Sequence, residues 1–447
     1  MLRTDLFKKI TYRHYMTNYS TMDFIYPPHF CWDDFDNNDF IKSDFIPGNY
    51  TLYAHFPFCE SRCKFCCLYS VACRNEKMYQ EYIDLLIKEL KLYTDKINID
   101  SFQNVHFGGG SPTLFSFEKL FKVVNKRKVL GQVNIEATPD SLNKDKIKLL
   151  KDCGVERIMI GVQSFDPKIL KRADRPQNNK NFFKVFSLVR KIGIPIINLT
   201  LIYGLPGQTI KSFLNDLETI IKLKPESIHI YGYMNCPTTN FYREGYRRSQ
   251  KIEALKAKMM IKGEEILSKA GYSLNGNDYV LNNDSGFRNQ TSLRGGPSKG
   301  HMAIGMSAIG IFYAENNGGI SIKKINTNSY TKYKKAIENG EFPIARYFKL
   351  DKEERERAAL IMAYRGEALQ KDGLLSKGKN ELVKKYSSAF KYLKRKGLIK
   401  KDRDGNIIFA PEDSIIYSKA FYSPKVLNRC RELTKDIKMS EIPDLRF

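Results

Sequence analysis

The chain has 447 residues, enough for a large core spread over two or three domains, and its 42% hydrophobic and 12% aromatic content excludes a disordered chain. No apolar run approaches the about 20 residues of a membrane span, and the basic start Met1-Leu-Arg-Thr-Asp-Leu-Phe-Lys-Lys lacks the apolar segment of a secretory signal, so the expected compartment is the cytoplasm. The formal charge of +25 is spread as Lys-rich surface rather than one arginine-rich stripe; an AT-biased genome writing Lys codons accounts for it better than RNA binding, and an anionic substrate would gain from the field.

Residues 1–48 form an irregular, aromatic-rich extension in which Tyr26-Pro-Pro-His-Phe-Cys-Trp32 blocks helix. Two readings stand for it, an ordered wrap around the core and a lid over the substrate. From Tyr50 strand and helix alternate. The expected strands are Leu52–Phe56, Asn104–Phe107, Val133–Ala137, Arg157–Val162, Ile196–Leu201 and Ser227–Tyr231. The expected helices are Glu76–Thr94, Phe117–Lys126, Lys144–Cys153, Asn179–Ile192 and Ile210–Leu223. Strand–helix steps with short loops argue for a parallel sheet with helices outside, and ligands then gather at the carboxyl ends of the strands.

Between the first strand and the first helix lies Cys59-Glu-Ser-Arg-Cys63-Lys-Phe-Cys66, a C-x3-C-x2-C spacing. Zinc sites usually pair C-x2-C or His and Cys ligands, and ferredoxin runs close an iron–sulfur cube with a fourth thiolate. Three thiolates with no fourth partner read as ligands of a [4Fe–4S] cluster that leaves one iron open to a chelating cofactor. The plainer alternative is three buried or disulfide-linked cysteines. Nine cysteines in all, an odd number, fit reducing surroundings better than a disulfide framework. After the second strand comes Gly108-Gly-Gly-Ser-Pro-Thr113, where glycines let the backbone approach a ligand that a side chain would block; a plain turn is the alternative.

Residues 233–330 leave the repeat. Tyr233-Met-Asn-Cys-Pro-Thr-Thr-Asn-Phe-Tyr-Arg-Glu-Gly245 leads into a helix over Ile252–Leu267. The small residues of Gly305-Met-Ser-Ala-Ile-Gly310 permit close approach of a ligand or of a packed helix. Residues 331–447 read as a helical, Lys/Glu-rich cover domain, with helices over Asp351–Met362 and Lys377–Lys396 and a hairpin on Asp404-Gly405. That order is winged-helix-like, and DNA binding is its obvious suggestion.

The stretch Tyr53-x-His-Phe-Pro-Phe-Cys-x3-Cys-x-Phe-Cys66 resembles the start of the radical S-adenosylmethionine (SAM) enzymes related to oxygen-independent coproporphyrinogen III oxidase, the HemN-like group. The similarity continues in order to about residue 310 and more faintly to about 420. It implies an α/β fold, a partial (β/α)6 barrel over residues 49–232, with Cys59, Cys63 and Cys66 holding a [4Fe–4S] cluster. SAM would chelate the open iron, and one electron, from a flavodoxin- or ferredoxin-type donor, would cleave it to methionine and a 5′-deoxyadenosyl radical under anaerobic conditions. The resemblance places Tyr53, Phe65, Gly108, Gly109, Gly110, Thr113, Glu136, Gln163, Arg175 and Gly204 around SAM. Glu136 lies in an I-E-x-x-P segment, Gln163 in G-x-Q-S-F and Gly204 in Y-G-L-P-x-Q-T. Gln163 would reach a ribose hydroxyl, and Arg175 a carboxylate suited to its planar fork. Residues 287–310 are similar to the segment where the oxidase subgroup places a second SAM, here with Gln290, Thr291 and Ile309.

Three departures matter. Thr200 stands where the family usually has an acid, Leu68 where the oxidases usually place a fourth Cys, with Cys67 one residue earlier, and Gln290 and Thr291 replace an aromatic–amide pair. The pattern is closest to the class C radical SAM methyltransferases, which are proposed to add a methylene from a second SAM to an sp2 carbon. Within that group the expected substrate is a tetrapyrrole with propionates, as in anaerobic heme degradation. Heteroaromatic natural products, coproporphyrinogen oxidation and heme trafficking remain as alternatives. By the same analogy the terminal domain covers the active site.

Overall fold

The computed structural model describes residues 26–27, 32–35, 40, 43, 45–236, 238–247, 249–275, 278–282, 300–313, 321–363, 379–397, 399–401, 407–409 and 420–434. In chain order these form β1 (Gly48–Phe56), α1 (Glu76–Lys96), β2 (Ile99–Gly109), α2 (Glu118–Val124), β3 (Val133–Ala137), α3 (Lys144–Asp152), β4 (Arg157–Gln163), α4 (Asn179–Ile192), β5 (Ile196–Tyr203), α5 (Ile210–Leu223), β6 (Ser227–Gly232), α6 (Gln250–Lys269), β7 (Tyr272–Asn275), β8 (Asp278–Leu281), β9 (Gly300–Ile304), β10 (Ile309–Phe312), β11 (Ser321–Asn326), α7 (Tyr330–Glu338), β12 (Ile344–Leu350) and α8 (Lys352–Ala363). The C-terminal region adds α9 (Lys379–Lys385), α10 (Ser387–Arg395), β13 (Ile399–Lys401), β14 (Ile407–Phe409) and α11 (Pro424–Thr434).

The fold is the expected α/β partial barrel. Strands β1 to β6 lie side by side in parallel, each joined to the next through a helix. Local signals explain the helix ends: Asn75, Asn143, Asn178 and Thr209 each accept a hydrogen bond from a first-turn amide, and Gly193 closes α4 in the left-handed conformation. The strands are nearly continuous apolar runs because sheet and helices bury them on both faces. Leu52, Phe107, Ile135, Ile158, Leu199 and Ile230 are all in one core.

The sheet does not stop at the barrel. On one side β6 pairs with β8 and β8 with β7, both antiparallel. On the other, β9 joins β1 in parallel, and β10, β11 and β12 follow as an antiparallel meander. Gly305-Met-Ser-Ala thus links two strands and packs against α1: Gly305 takes φ +97°, and a Cβ there would meet the backbone oxygen of His55 at 2.5 Å, Tyr82 Oη at 2.8 Å and Leu86 Cδ2 at 3.2 Å. Strand β12, in a stretch read as helical, alternates weakly and is flanked by Lys and Glu, so its period is hidden.

A buried polar cluster fixes this junction. Glu89 accepts from Gly305 N (2.7 Å), Tyr333 Oη (2.5 Å) and Asn326 Nδ2 (2.7 Å), with the Lys324 ammonium 3.9 Å away. Burial pushes the Lys324 ammonium down to about 8 against the pull of Glu89.

A second core joins the C-terminal region to the N-terminal segment: Tyr26 and Trp32 pack with Leu350, Leu360, Phe390, Leu393 and Phe421. Tyr26 also donates to Glu354 and accepts from Ser423 N at 3.1 Å. The hairpin β13–β14 pairs Ile399 with Phe409; its turn at Asp404-Gly405 lies outside the described residues. Among the described residues no helix is long and apolar enough to cross a membrane.

Candidate active site

Because side chains alternate along a strand, residues two apart share a face. Met159, Gly161 and Gln163 on β4, Thr200 and Ile202 on β5, and His229 and Tyr231 on β6 face one cavity of about 380 Å³. Its lining takes in the carboxyl ends of the barrel strands and residues 59–63 and 65–67 of the cysteine segment.

That segment has little regular structure, and its backbone is pinned at several points. Cys73 N donates to Cys59 O at 2.8 Å, Lys64 N to Ala173 O at 2.9 Å, and Phe241 N to Lys64 O at 3.2 Å. Lys64 also pairs with Glu244 and Asp174. The thiols of Cys63 and Cys66 stand close enough to Cys59 to act on it electrostatically, whereas Cys67 neighbours Cys66, Cys236 and Tyr231. Burial pushes the Cys59 thiol up to about 11 and also raises Cys66 and Cys67. Leu68, at the oxidase's fourth-cysteine position, is 45% exposed.

The glycine loop lies against the cysteines. Gly110 N donates to Phe56 O (2.6 Å), Ser111 N to Phe58 O (2.9 Å), and Ser111 Oγ reaches Cys59 Sγ at 3.7 Å. A Cβ on Gly110 would meet Phe58 O at 2.6 Å and Cys59 Sγ at 2.9 Å.

Glu136 lines the cavity from β3. Its oxygens accept from Gly109 N (3.2 Å) and face His106 Nε2 (3.0 Å). Burial alone would raise this carboxyl, but His106, the Gly109 amide and His55 together hold it below the usual carboxylate range.

Gln163 takes a positive φ of 69° at an irregularity in the β4–β5 pairing, which turns its side chain into the cavity. A Cβ on Gly161 would lie 2.8 Å from the Gln163 amide, so that glycine makes the room. Arg175 donates to Gly161 O, to Gln177 Oε1 (3.2 Å) and to Cys63 Sγ (3.6 Å).

The cavity thus gathers Cys59, Cys63, Cys66, Phe65, Gly109, Gly110, Glu136, Gln163 and Arg175. The other residues expected around SAM lie off its wall. Gly108 packs under His106 and Glu136, and Tyr53 bonds His55 Nδ1 (2.9 Å) and stacks on His106. Thr113 is buried and bonded to Ser141, and Gly204 makes room for the stem of Lys256. Ile309 packs against the second core, while Gln290 and Thr291 lie outside the described residues. His229, Tyr231 and Tyr233 also line the cavity and were not singled out from the sequence. The only signal for them was the alternation along Ser-Ile-His-Ile-Tyr-Gly-Tyr233.

The pattern of the Radical SAM superfamily matches residues 53–220. The chain is 32% identical over 228 residues to the heme chaperone HemW of Buchnera aphidicola, covering 50% of this chain and 60% of that protein's length. It is 29% identical over 353 residues to the oxygen-independent coproporphyrinogen III oxidase of Helicobacter pylori, covering 73% and 74%. The fold matches the structure of coproporphyrinogen III oxidase (HemN) from Escherichia coli with a TM-score of 0.70 at 21% identity, over 88% of this chain and 95% of that one.

The cofactors of the superfamily are a [4Fe–4S] cluster and SAM, and the residues present fit them. Among the described residues no three His, Cys, Asp or Glu side chains converge on one ion. A cube takes each thiolate on a different iron, so its ligands surround a volume instead of a point. Residues 53–220 form a radical SAM domain, and the chain shares the fold of coproporphyrinogen III oxidase (HemN).

Proposed function

We propose that Cys59, Cys63 and Cys66 hold the cluster and that SAM lies between it and the strand ends. The observation that carries this reading is the grouping of those three thiols with Gly110, Glu136, Gln163 and Arg175 on one cavity wall. With both cofactors bound, the site supplies hydrogen-atom abstraction begun by one electron from a flavodoxin- or ferredoxin-type donor.

The chain's residues have separable tasks. Glu136, kept ionised by its neighbours, offers a carboxylate to the N–H donors of the SAM amino group. The Gly109–Gly110 backbone lets that end approach without a Cβ in the way. Arg175, beside Cys63, presents its guanidinium to the SAM carboxylate, and Gln163 presents its amide to the ribose. Phe65, Ile202, Tyr231 and Tyr233 wall the cavity with apolar surface that keeps water from a reactive intermediate.

The substrate is a tetrapyrrole, since relatives matching over most of this chain are named for coproporphyrinogen and a further one for heme. The Lys-rich surface suits its propionates. The reaction is methyl transfer to an sp2 carbon with a second SAM. Leu68, exposed where the oxidases carry a cysteine, and the neutral Thr200 favour this over oxidation.

The test is an anaerobic incubation of the reconstituted, reduced protein with methyl-labelled SAM and heme, read by mass. Deoxyadenosine, S-adenosylhomocysteine and a methylated, opened tetrapyrrole support the reading. Deoxyadenosine with heme untouched moves the substrate to small heteroaromatics. Decarboxylation of coproporphyrinogen in a parallel incubation makes the protein an oxidase, and heme binding with no SAM cleavage makes it a heme carrier.

A further inference from the structure

One polar group in the cavity has no task in the scheme above. His229 stands on β6 directly beside Thr200 on β5 and two residues deeper than Tyr231. Its Nδ1 lies 3.1 Å from Asp278 Oδ1 on β8. Asp278 is fully buried and also takes Arg157 Nη2 at 3.0 Å and Asn198 Nδ2 at 3.2 Å. Burial alone would raise its carboxyl, but Arg157 above all, then His229, hold it at about 2.

A permanent carboxylate at Nδ1 selects the Nδ1–H tautomer and turns Nε2 into a lone-pair acceptor. The ring keeps 24% exposure on the cavity side, and among the described residues no hydrogen bond reaches Nε2. A second polar group stands near: Tyr231 Oη donates to Gln163 Oε1 at 3.4 Å, and its ring centroid lies 5.5 Å from that of His229. Thr200 adds no acceptor with charge, and its hydroxyl is turned to Asn198 Oδ1 at 3.4 Å. At this level of the barrel the carboxylate-backed acceptor is His229.

We propose that His229, oriented by Asp278, is a positioning residue that accepts a hydrogen bond from a ribose hydroxyl of bound SAM, beside Gln163. This rests on the reading that the cavity takes SAM, but not on any assignment of the substrate. The arrangement suits a vicinal diol: the Gln163 amide and the imidazole sit on one cavity wall, and the buried Asp278–Arg157 pair keeps the imidazole from swinging away.

The experiment is equilibrium dialysis of the cluster-loaded full chain against SAM and against SAM analogues lacking the 2′- or the 3′-hydroxyl. His229→Ala is expected to weaken SAM by about threefold to tenfold, the share of one neutral hydrogen bond. It should leave unchanged the affinity for whichever analogue lacks the bonded hydroxyl. Iron content stays at the wild-type level. His229→Gln, whose amide oxygen can accept, recovers part of the loss and serves in place of His229→Ala should that variant fail to fold. Equal weakening of SAM and both analogues, or no weakening at all, overturns the proposal. A wild-type protein that binds neither SAM nor the analogues overturns the SAM reading itself and this inference with it.

Discussion

Replacing Gly110 with alanine separates the cluster from the fold. The added Cβ would lie 2.6 Å from Phe58 O, 2.9 Å from Cys59 Sγ and 3.0 Å from Phe56 O. Two of those neighbours are backbone, and both belong to a strap tied to the loop through Gly110 N–Phe56 O and Ser111 N–Phe58 O. Neither can rotate away as a flexible side chain would, so the strap or the loop must shift by about half an ångström or more to restore carbon–oxygen contact. Overpacking of this kind costs about 1–3 kcal/mol, small against the stability of a chain this long. The same Cβ presses on the Cys59 sulfur, which follows Phe58 in the strap and needs fixed geometry to hold an iron. Gly110→Ala should therefore lower the melting temperature by only a few degrees while iron after anaerobic reconstitution, and the brown charge-transfer absorbance, fall well below wild type. Iron titration and thermal circular dichroism on the same sample read both effects. Full iron loading would refute the reasoning, because it would mean the loop and the Cys59 strap move independently.

Other outcomes follow from the same geometry. Cys59→Ala, Cys63→Ala and Cys66→Ala should each abolish iron binding, whereas Cys67→Ala, whose thiol faces Cys236 and Tyr231, should keep it; iron analysis of the four variants decides. Lys324→Met leaves Glu89 buried without its cation and should cost about 3–5 kcal/mol, read as a lowered urea midpoint, without lowering iron content. The Asp278 carboxyl sits at about 2 when folded against 3.8 for the free group, so its stabilisation is complete above about pH 4 and is lost as pH falls through about 2. Asp278→Asn should remove that part of the acid limb in a pH series of urea melts, and should destabilise at neutral pH by leaving Arg157 buried without its partner.

The barrel was legible because its strands and helices announce themselves locally. Val133–Ala137, Asn179–Ile192 and Ile210–Leu223 fall at their expected ends, since caps and apolar runs are nearest-neighbour signals. The proposed cluster strap could be picked out for the same reason: it is short, and its cysteine spacing survives in one dimension. What escaped depends on pairing between distant segments. Strand β9 could not be placed beside β1, because nothing in Gly300–Ile304 names Leu52 and Tyr53 as its partners. The carboxylate that orients His229 lies 49 residues away on an antiparallel strand with no motif of its own. Gly204 shows the opposite failure: its motif is plain in sequence, yet the space it keeps free is filled by Lys256 and not by a ligand. A glycine in a motif tells only that a Cβ would collide; which body it collides with is decided by the helix that packs there, and α6 comes more than forty residues later in the chain. That is why the cavity's rim could be read from the strand ends while the buried support behind His229, built from Arg157, Asn198 and Asp278 on three further strands, could be assembled only in three dimensions.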